Sequence, residues 1–207
     1  MSRGMDSFRA MYLDNSSSIW LVEVDDYFLQ STVSYYGLNR HVPHYSRCAA
    51  IIKGRNFDLS DMSERQLNVL AESCRILYGL LHQRYVTSED GIRKLFSKYA
   101  RGVYGCCPRT ACKGRHLLPI GFDVVPRFNK VSLWCPQCHD VYKSNSDLDE
   151  AYFGPDIPIM FHKIADVPLK FKVFSSLLKK GTDDDGNEVP EIKQRLFRWG
   201  EKQLPLK

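Results

Sequence analysis

Residues 105–112 read GCCPRTAC and residues 133–138 read LWCPQC, so five of the chain's seven cysteines fall into two short clusters. Four residues separate Cys107 from Cys112, two separate Cys135 from Cys138, and residues 113–134 lie between the pairs. A zinc ion takes four soft ligands at the corners of a tetrahedron, with Zn–S near ~2.3 Å. Two tight turns, each presenting two thiols and brought together by a hairpin, meet that demand. The CPQC turn is the stronger half, because proline followed by a polar residue suits a knuckle. Cys106 competes with Cys107 for the first position. Pairing it with Cys112 would need a five-residue loop, so the spacing favours Cys107 and leaves Cys106 as a neighbouring thiol. His116 and His139 stand as substitute donors. Four sulfur ligands leave no open coordination position, so the expected ion is structural. In so small a subdomain it would supply much of the folding free energy.

Around the cysteines the apolar runs are short: HLLPIGF at 116–122, KVSLWC at 130–135 and DVYK at 140–143. Bounded by turn residues, they predict strands. Upstream the period changes. Ser63 with Gln66 three residues later fits a capping box, and Leu67, Leu70, Cys74, Leu77 and Leu81 recur at helical steps. A helix to about Tyr85 follows, with Cys74 packed in its stripe as a small hydrophobe. Thr87 and Asp90 repeat the capping pattern, and Ile92, Leu95, Phe96 and Tyr99 predict a second helix as far as Gly102. Shorter helices are expected in YSRCAAIIK (45–53), ended by Gly54, in VEVDDYFLQ (22–30), and around Phe8, Met11, Tyr12 and Leu13. Prolines at 155, 158 and 168 predict an extended tail. Asp185-Gly186 is a turn signal. EIKQRLFRWGEKQ (191–203) predicts a short basic helix with Ile192, Leu196 and Trp199 on one side.

With 43% hydrophobic residues, the 207-residue chain can bury a core as one ordinary domain or two small ones. A net charge of +5 tolerates an acidic partner but falls short of a dedicated nucleic-acid binder. No stretch nears the roughly 18 apolar residues of a membrane span, and MSRGMDSFRA lacks the apolar region of a signal peptide. A reducing compartment is therefore expected, and seven thiols cannot all pair within one chain. The chain is not itself a kinase, since it has no Gly-rich phosphate loop and no HRD or DFG signature. Cys106 as a catalytic nucleophile lacks a base and orienter. A zinc-ribbon nucleic-acid binder is the alternative reading, with Lys113, Arg115, Arg127 and Lys130 flanking the ligands. The apolar LPIGF and LWC segments suit protein–protein contact better.

A set of motifs points further. EVDDYF (23–28), YGLN (36–39), VPHY (42–45), LYGLLHQRY (77–85), GVYGCCPRTAC (102–112), LPIGF (118–122), LWCPQCHDVY (133–142) and AYFG (151–154) occur in that order. Together they resemble the regulatory (beta) subunit of casein kinase II, from roughly residue 19 to 154. The resemblance implies an α+β fold: a helical N-terminal domain (1–102) packed on a small antiparallel zinc ribbon (103–155) that is the homodimer contact. An extended C-terminal tail (156–207) would carry the kinase-docking segment.

By position, the family's zinc ligands fall on Cys107, Cys112, Cys135 and Cys138, one structural Zn2+ per chain. Its dimer contacts fall on Pro108, Thr110, Phe122 and Val141. Its kinase-docking anchors fall on Met160, Phe171 and Val173, with Phe174 in place of Val173 as the other choice. The implied protein is non-catalytic, resides in cytoplasm and nucleus, and bridges two catalytic subunits into a two-plus-two tetramer that handles the kinase's substrates. Cys106 stands where the family commonly has an aromatic residue.

Two departures matter. The place of the family's acidic, polyamine-associated loop reads IKGRNFDLSDMSE, weakened by Lys53 and Arg55, and the N-terminal Ser-Glu-rich autophosphorylation segment is missing. Thr182, followed by three aspartates, is the candidate replacement phosphorylation site.

Overall fold

The structure is a computed structural model and describes residues 19–55, 59–60, 62–165, 180–182 and 188–190, with only the backbone of 164, 165 and the last two segments. Among the described residues, five α-helices and a small sheet make up its body. The helices are α1 (Asp26–Gln30), α2 (Tyr45–Ile52), α3 (Glu64–Val86), α4 (Glu89–Ala100) and α5 (Ile157–Ala165). Strands β1 (Leu118–Ile120), β2 (Ser132–Trp134) and β3 (Val141–Lys143) form an antiparallel sheet in that order. Its register sets Leu118 opposite Trp134 and Leu133 opposite Tyr142. A separate pair, β4 (Lys180–Thr182) and β5 (Glu188–Pro190), is also antiparallel. Asp185-Gly186, the expected turn, lies outside the described residues.

The helix α3 begins with the reciprocal cap read from sequence. The Ser63 side chain accepts from the Gln66 amide, and the Gln66 side chain accepts from the Ser63 amide at 2.9 Å. Beyond Ile76 the helix is buried on every side, not on one stripe, through Leu77, Tyr78, Gly79, Leu80, Leu81 and His82. The extended residues Leu21, Val22 and Val24 supply part of that cover, as do Ile92 and Leu95 of α4 and residues 151–153 that leave the sheet. Each wholly buried leucine or isoleucine contributes roughly 1.5–3 kcal/mol. Gly79 is where the ring of Tyr152 crosses the helix. A Cβ there would lie 2.2 Å from two ring carbons.

Three local expectations change. Residues 22–25 are extended, not helical, because the Val22 amide is taken by His82 Nε2 at 3.0 Å and the Val24 amide by the Tyr78 hydroxyl at 3.3 Å. The cap of α4 is Ser88, which accepts from the Gly91 amide at 3.2 Å, while Thr87 closes α3 and bonds back to the Arg84 carbonyl. The tail opens with a helix although Pro158 sits in it. Proline in a first helical turn forfeits no intrahelical hydrogen bond. That helix packs on β1 and sets Phe161 edge-on against Phe96, Tyr99 and Trp134. The short helix expected around Phe8 and the basic helix at 191–203 lie outside the described residues.

Candidate metal centre

The turn between β2 and β3 is CPQCHD, residues 135–140. The Cys135 amide donates to Asp140 O at 3.0 Å and the His139 amide to Cys135 O at 2.8 Å. His139 takes a left-handed backbone, φ 61°, which turns the chain back into β3. The opposing turn is built alike. The Cys107 amide donates to Arg115 O at 2.7 Å and the Cys112 amide to Arg109 O at 2.9 Å, with Lys113 left-handed at φ 49°.

These two knuckles bring the sulfurs of Cys107, Cys112, Cys135 and Cys138 within 4.8 Å of one another. Cys107 and Cys138 are 3.8 Å apart, Cys112 and Cys135 3.9 Å. A tetrahedron with Zn–S of ~2.3 Å has an edge of about 3.8 Å. The donor set and spacing therefore fit a four-thiolate zinc site. Its second circle was not legible from spacing. The Tyr142 hydroxyl lies 3.4 Å from both Cys107 and Cys138 sulfurs. Gln137 donates to Ala111 O at 3.1 Å and accepts from Arg115 at 3.3 Å, while Arg109 pairs with Asp140 at 2.9 Å, so the knuckles are clasped to each other. Burial pushes the Cys107 thiol up, yet the Tyr142 hydroxyl and the Arg109 backbone bring it down to about 7. Burial raises Cys135.

The substitute donors stand elsewhere. His116 shares a backbone bridge with Cys106 and lays its ring edge-on to Tyr99, 5.9 Å between centroids. His139 turns its ring to Trp134 and stacks on His162, 5.5 Å away. Cys106 is exposed. Cys74 is 1% exposed within α3, as its place in the stripe required.

Pro108 and Thr110 are exposed on the first knuckle, while Phe122 and Val141 are half-buried. Pro108 lines a shallow cavity of ≈390 Å³ with Cys106, Leu117, Leu133 and Tyr142. Met160 lies half-buried on α5 against the core. Phe171, Val173 and Phe174 lie outside the described residues, as do the aspartates after Thr182. Thr182 ends β4, opposite Glu188. Lys53 lies 4.3 Å over the Tyr35 ring, and Arg55 follows it. Asn56–Asp58 and Asp61, in the stretch that replaces the acidic loop, lie outside the described residues.

A family profile described as casein kinase II regulatory subunit matches residues 7–179. Among curated relatives, the chain is 35% identical over 159 residues to casein kinase II subunit beta of Schizosaccharomyces pombe, covering 74% of this chain and 67% of that one. It is 34% identical over 144 residues to putative casein kinase II subunit beta-4 of Arabidopsis thaliana, covering 67% of this chain and 51% of the relative. Casein kinase II subunit beta' of Saccharomyces cerevisiae is 31% identical over 166 residues, 77% of this chain and 64% of its own. The chain thus spans between about half and two thirds of the length of these relatives. No helix among the described residues is long and apolar enough to cross a membrane.

Proposed function

This chain belongs to the casein kinase II regulatory subunit family, and on that footing we propose that it is a non-catalytic regulator that joins two kinase catalytic subunits into one assembly. Zn2+ held by Cys107, Cys112, Cys135 and Cys138 clamps the ribbon and supplies rigidity, not reaction chemistry. The ribbon pairs two chains through a surface that includes Pro108, Thr110, Phe122 and Val141. Each paired chain presents Met160 and the anchors Phe171, Val173 and Phe174 to one catalytic subunit. The pair thereby sets the kinase's stability and its choice of substrate, in cytoplasm and nucleus.

The observation that carries this reading is the four-sulfur cluster at tetrahedral spacing, beside exposed Pro108 and Thr110. A closed coordination shell holds a surface in shape, which is what a self-complementary interface requires. The ribbon's basic side chains give less to a nucleic-acid reading. Arg109 is paired with Asp140 at 2.9 Å, Lys130 with Asp147 at 2.5 Å, and Arg115 is engaged by Gln137.

Molar mass by light scattering tests the proposal, with the chain alone and mixed with casein kinase II catalytic subunit. The expected result is a dimer that becomes a two-plus-two tetramer. A dimer that ignores the kinase would remove the scaffold role and leave the ribbon pairing standing.

A further inference from the structure

Two cysteines outside the metal centre meet inside the helical body. Cys48 on α2 is 0% exposed and Cys74 on α3 is 1% exposed. The Cys48 sulfur lies 3.7 Å from the Pro43 carbonyl oxygen and 3.9 Å from the Leu70 carbonyl oxygen. Leu70 is one turn before Cys74, and side chains on a helix lean toward its N-terminus. The Cys74 side chain therefore leans over the same turn that the Cys48 sulfur touches, which sets the two buried thiols beside each other. Interaction with Cys74 holds the Cys48 thiol below its ordinary value, and interaction with Cys48, together with burial, pushes Cys74 up. A single buried cysteine is a small hydrophobe. Two that face each other across a helix pair are a dithiol.

We propose that Cys48 and Cys74 are an oxidation site, closing to a reversible disulfide that staples α2 to α3 when the chain meets a two-electron oxidant of the peroxide class. This inference does not depend on the regulatory-subunit reading. The Cys48 thiolate attacks one peroxide oxygen, the O–O bond breaks, and the departing hydroxide takes a proton to leave as water. Cys48 is then a sulfenic acid. Cys74 gives up its proton and attacks that sulfur. The S–O bond breaks, the S–S bond forms, and a second water leaves. Two thiols are oxidised and one peroxide is reduced.

Neither sulfur reaches the surface, so the oxidant enters by local opening beside a cleft that chain neighbours of both cysteines border. Pro43, whose carbonyl touches Cys48, and Ser73, the neighbour of Cys74, both line an open cleft of ≈660 Å³ with Arg65, Asn68, Val69 and Glu72. The short helix α2 is also the weaker partner. It has eight residues, no side-chain cap, and an N-cap at His44 held left-handed at φ 52°. Such an element opens locally before the core does.

The test treats the full, reduced, zinc-loaded chain with graded hydrogen peroxide and maps its peptides by mass spectrometry without reduction. The expected result is a Cys48–Cys74 linked peptide two hydrogens lighter than its parts, formed before zinc is released and lost again with dithiothreitol. The melting temperature of the linked chain should rise by roughly 5–10 °C. Cys48→Ala and Cys74→Ala should each abolish that rise. The wild-type map decides by itself if either variant folds poorly. The proposal is overturned if Cys48 and Cys74 both remain free thiols after Cys106 is oxidised or zinc is lost. It is equally overturned if either one links to another cysteine instead.

Discussion

His82 donates from Nδ1 to the carbonyl oxygen of Tyr152 at 2.7 Å, and so binds the middle of α3 to the chain that leaves the ribbon. Its other nitrogen accepts the Val22 amide, which fixes the neutral tautomer. Three distant stretches of sequence meet on this one ring.

A pH dependence follows. Burial pulls the His82 pKa down from 6.5 to about 4. The folded value is below the unfolded one, so the unfolded chain takes the proton first. The stabilisation is complete above pH 6.5, declines as the pH falls, and is gone near pH 4. The loss over that window is about 3 kcal/mol. Urea denaturation at pH 7 and pH 4.5 should show a steeper drop for the wild type than for His82→Gln, which cannot titrate. Parallel drops would contradict the assignment.

Gly79→Ala should destabilise the chain by about 1–3 kcal/mol, because the new methyl collides with the Tyr152 ring and that ring is packed in place. The shift in denaturation midpoint measures it. An unchanged midpoint would mean that the ring moves freely.

Tyr142→Phe removes a hydroxyl shared by two of the four sulfurs and little else. Zinc affinity should fall roughly tenfold, read by competition with a coloured chelator, with helical circular dichroism unchanged. Equal affinity for both chains would make the hydroxyl a bystander.

On the proposed pairing through the ribbon, the chain with Cys107→Ser and Cys112→Ser should lose zinc and dimer together. Metal analysis and light scattering on the same sample check this. A zinc-free chain that stays dimeric would uncouple the two.

The features legible in sequence were those set by neighbours in sequence. The capping box at Ser63 and Gln66 involves four consecutive residues, and the cysteine spacings describe single turns. The three strands lie where short apolar runs meet turn residues. Features set by distant partners were not legible. The stripe on α3 cannot reveal that Tyr152 and Phe153 cover its far side. The extended run before α1 carries a helix-like pattern, and only His82 and Tyr78 decide against it. Pro158 misled because its helix starts one residue earlier, where proline does no harm. Tyr142 reads as one more strand residue until the fold brings its hydroxyl above the sulfurs.

The cysteine-bearing segment is seated at both ends. Before the first knuckle, Tyr104 is buried and its hydroxyl donates to Trp20 O at 3.1 Å. After β3, Ala151 and Phe153 are wholly buried beside α3. A polymer pinned at two posts explores far less volume than one with a free end, so the four thiols meet at a high effective concentration. Capturing an ion then costs less chain entropy than it would in an isolated ribbon. Metal affinity becomes a gauge of helix packing, and damage at Gly79 or His82, remote in sequence from every knuckle, should register at the sulfurs.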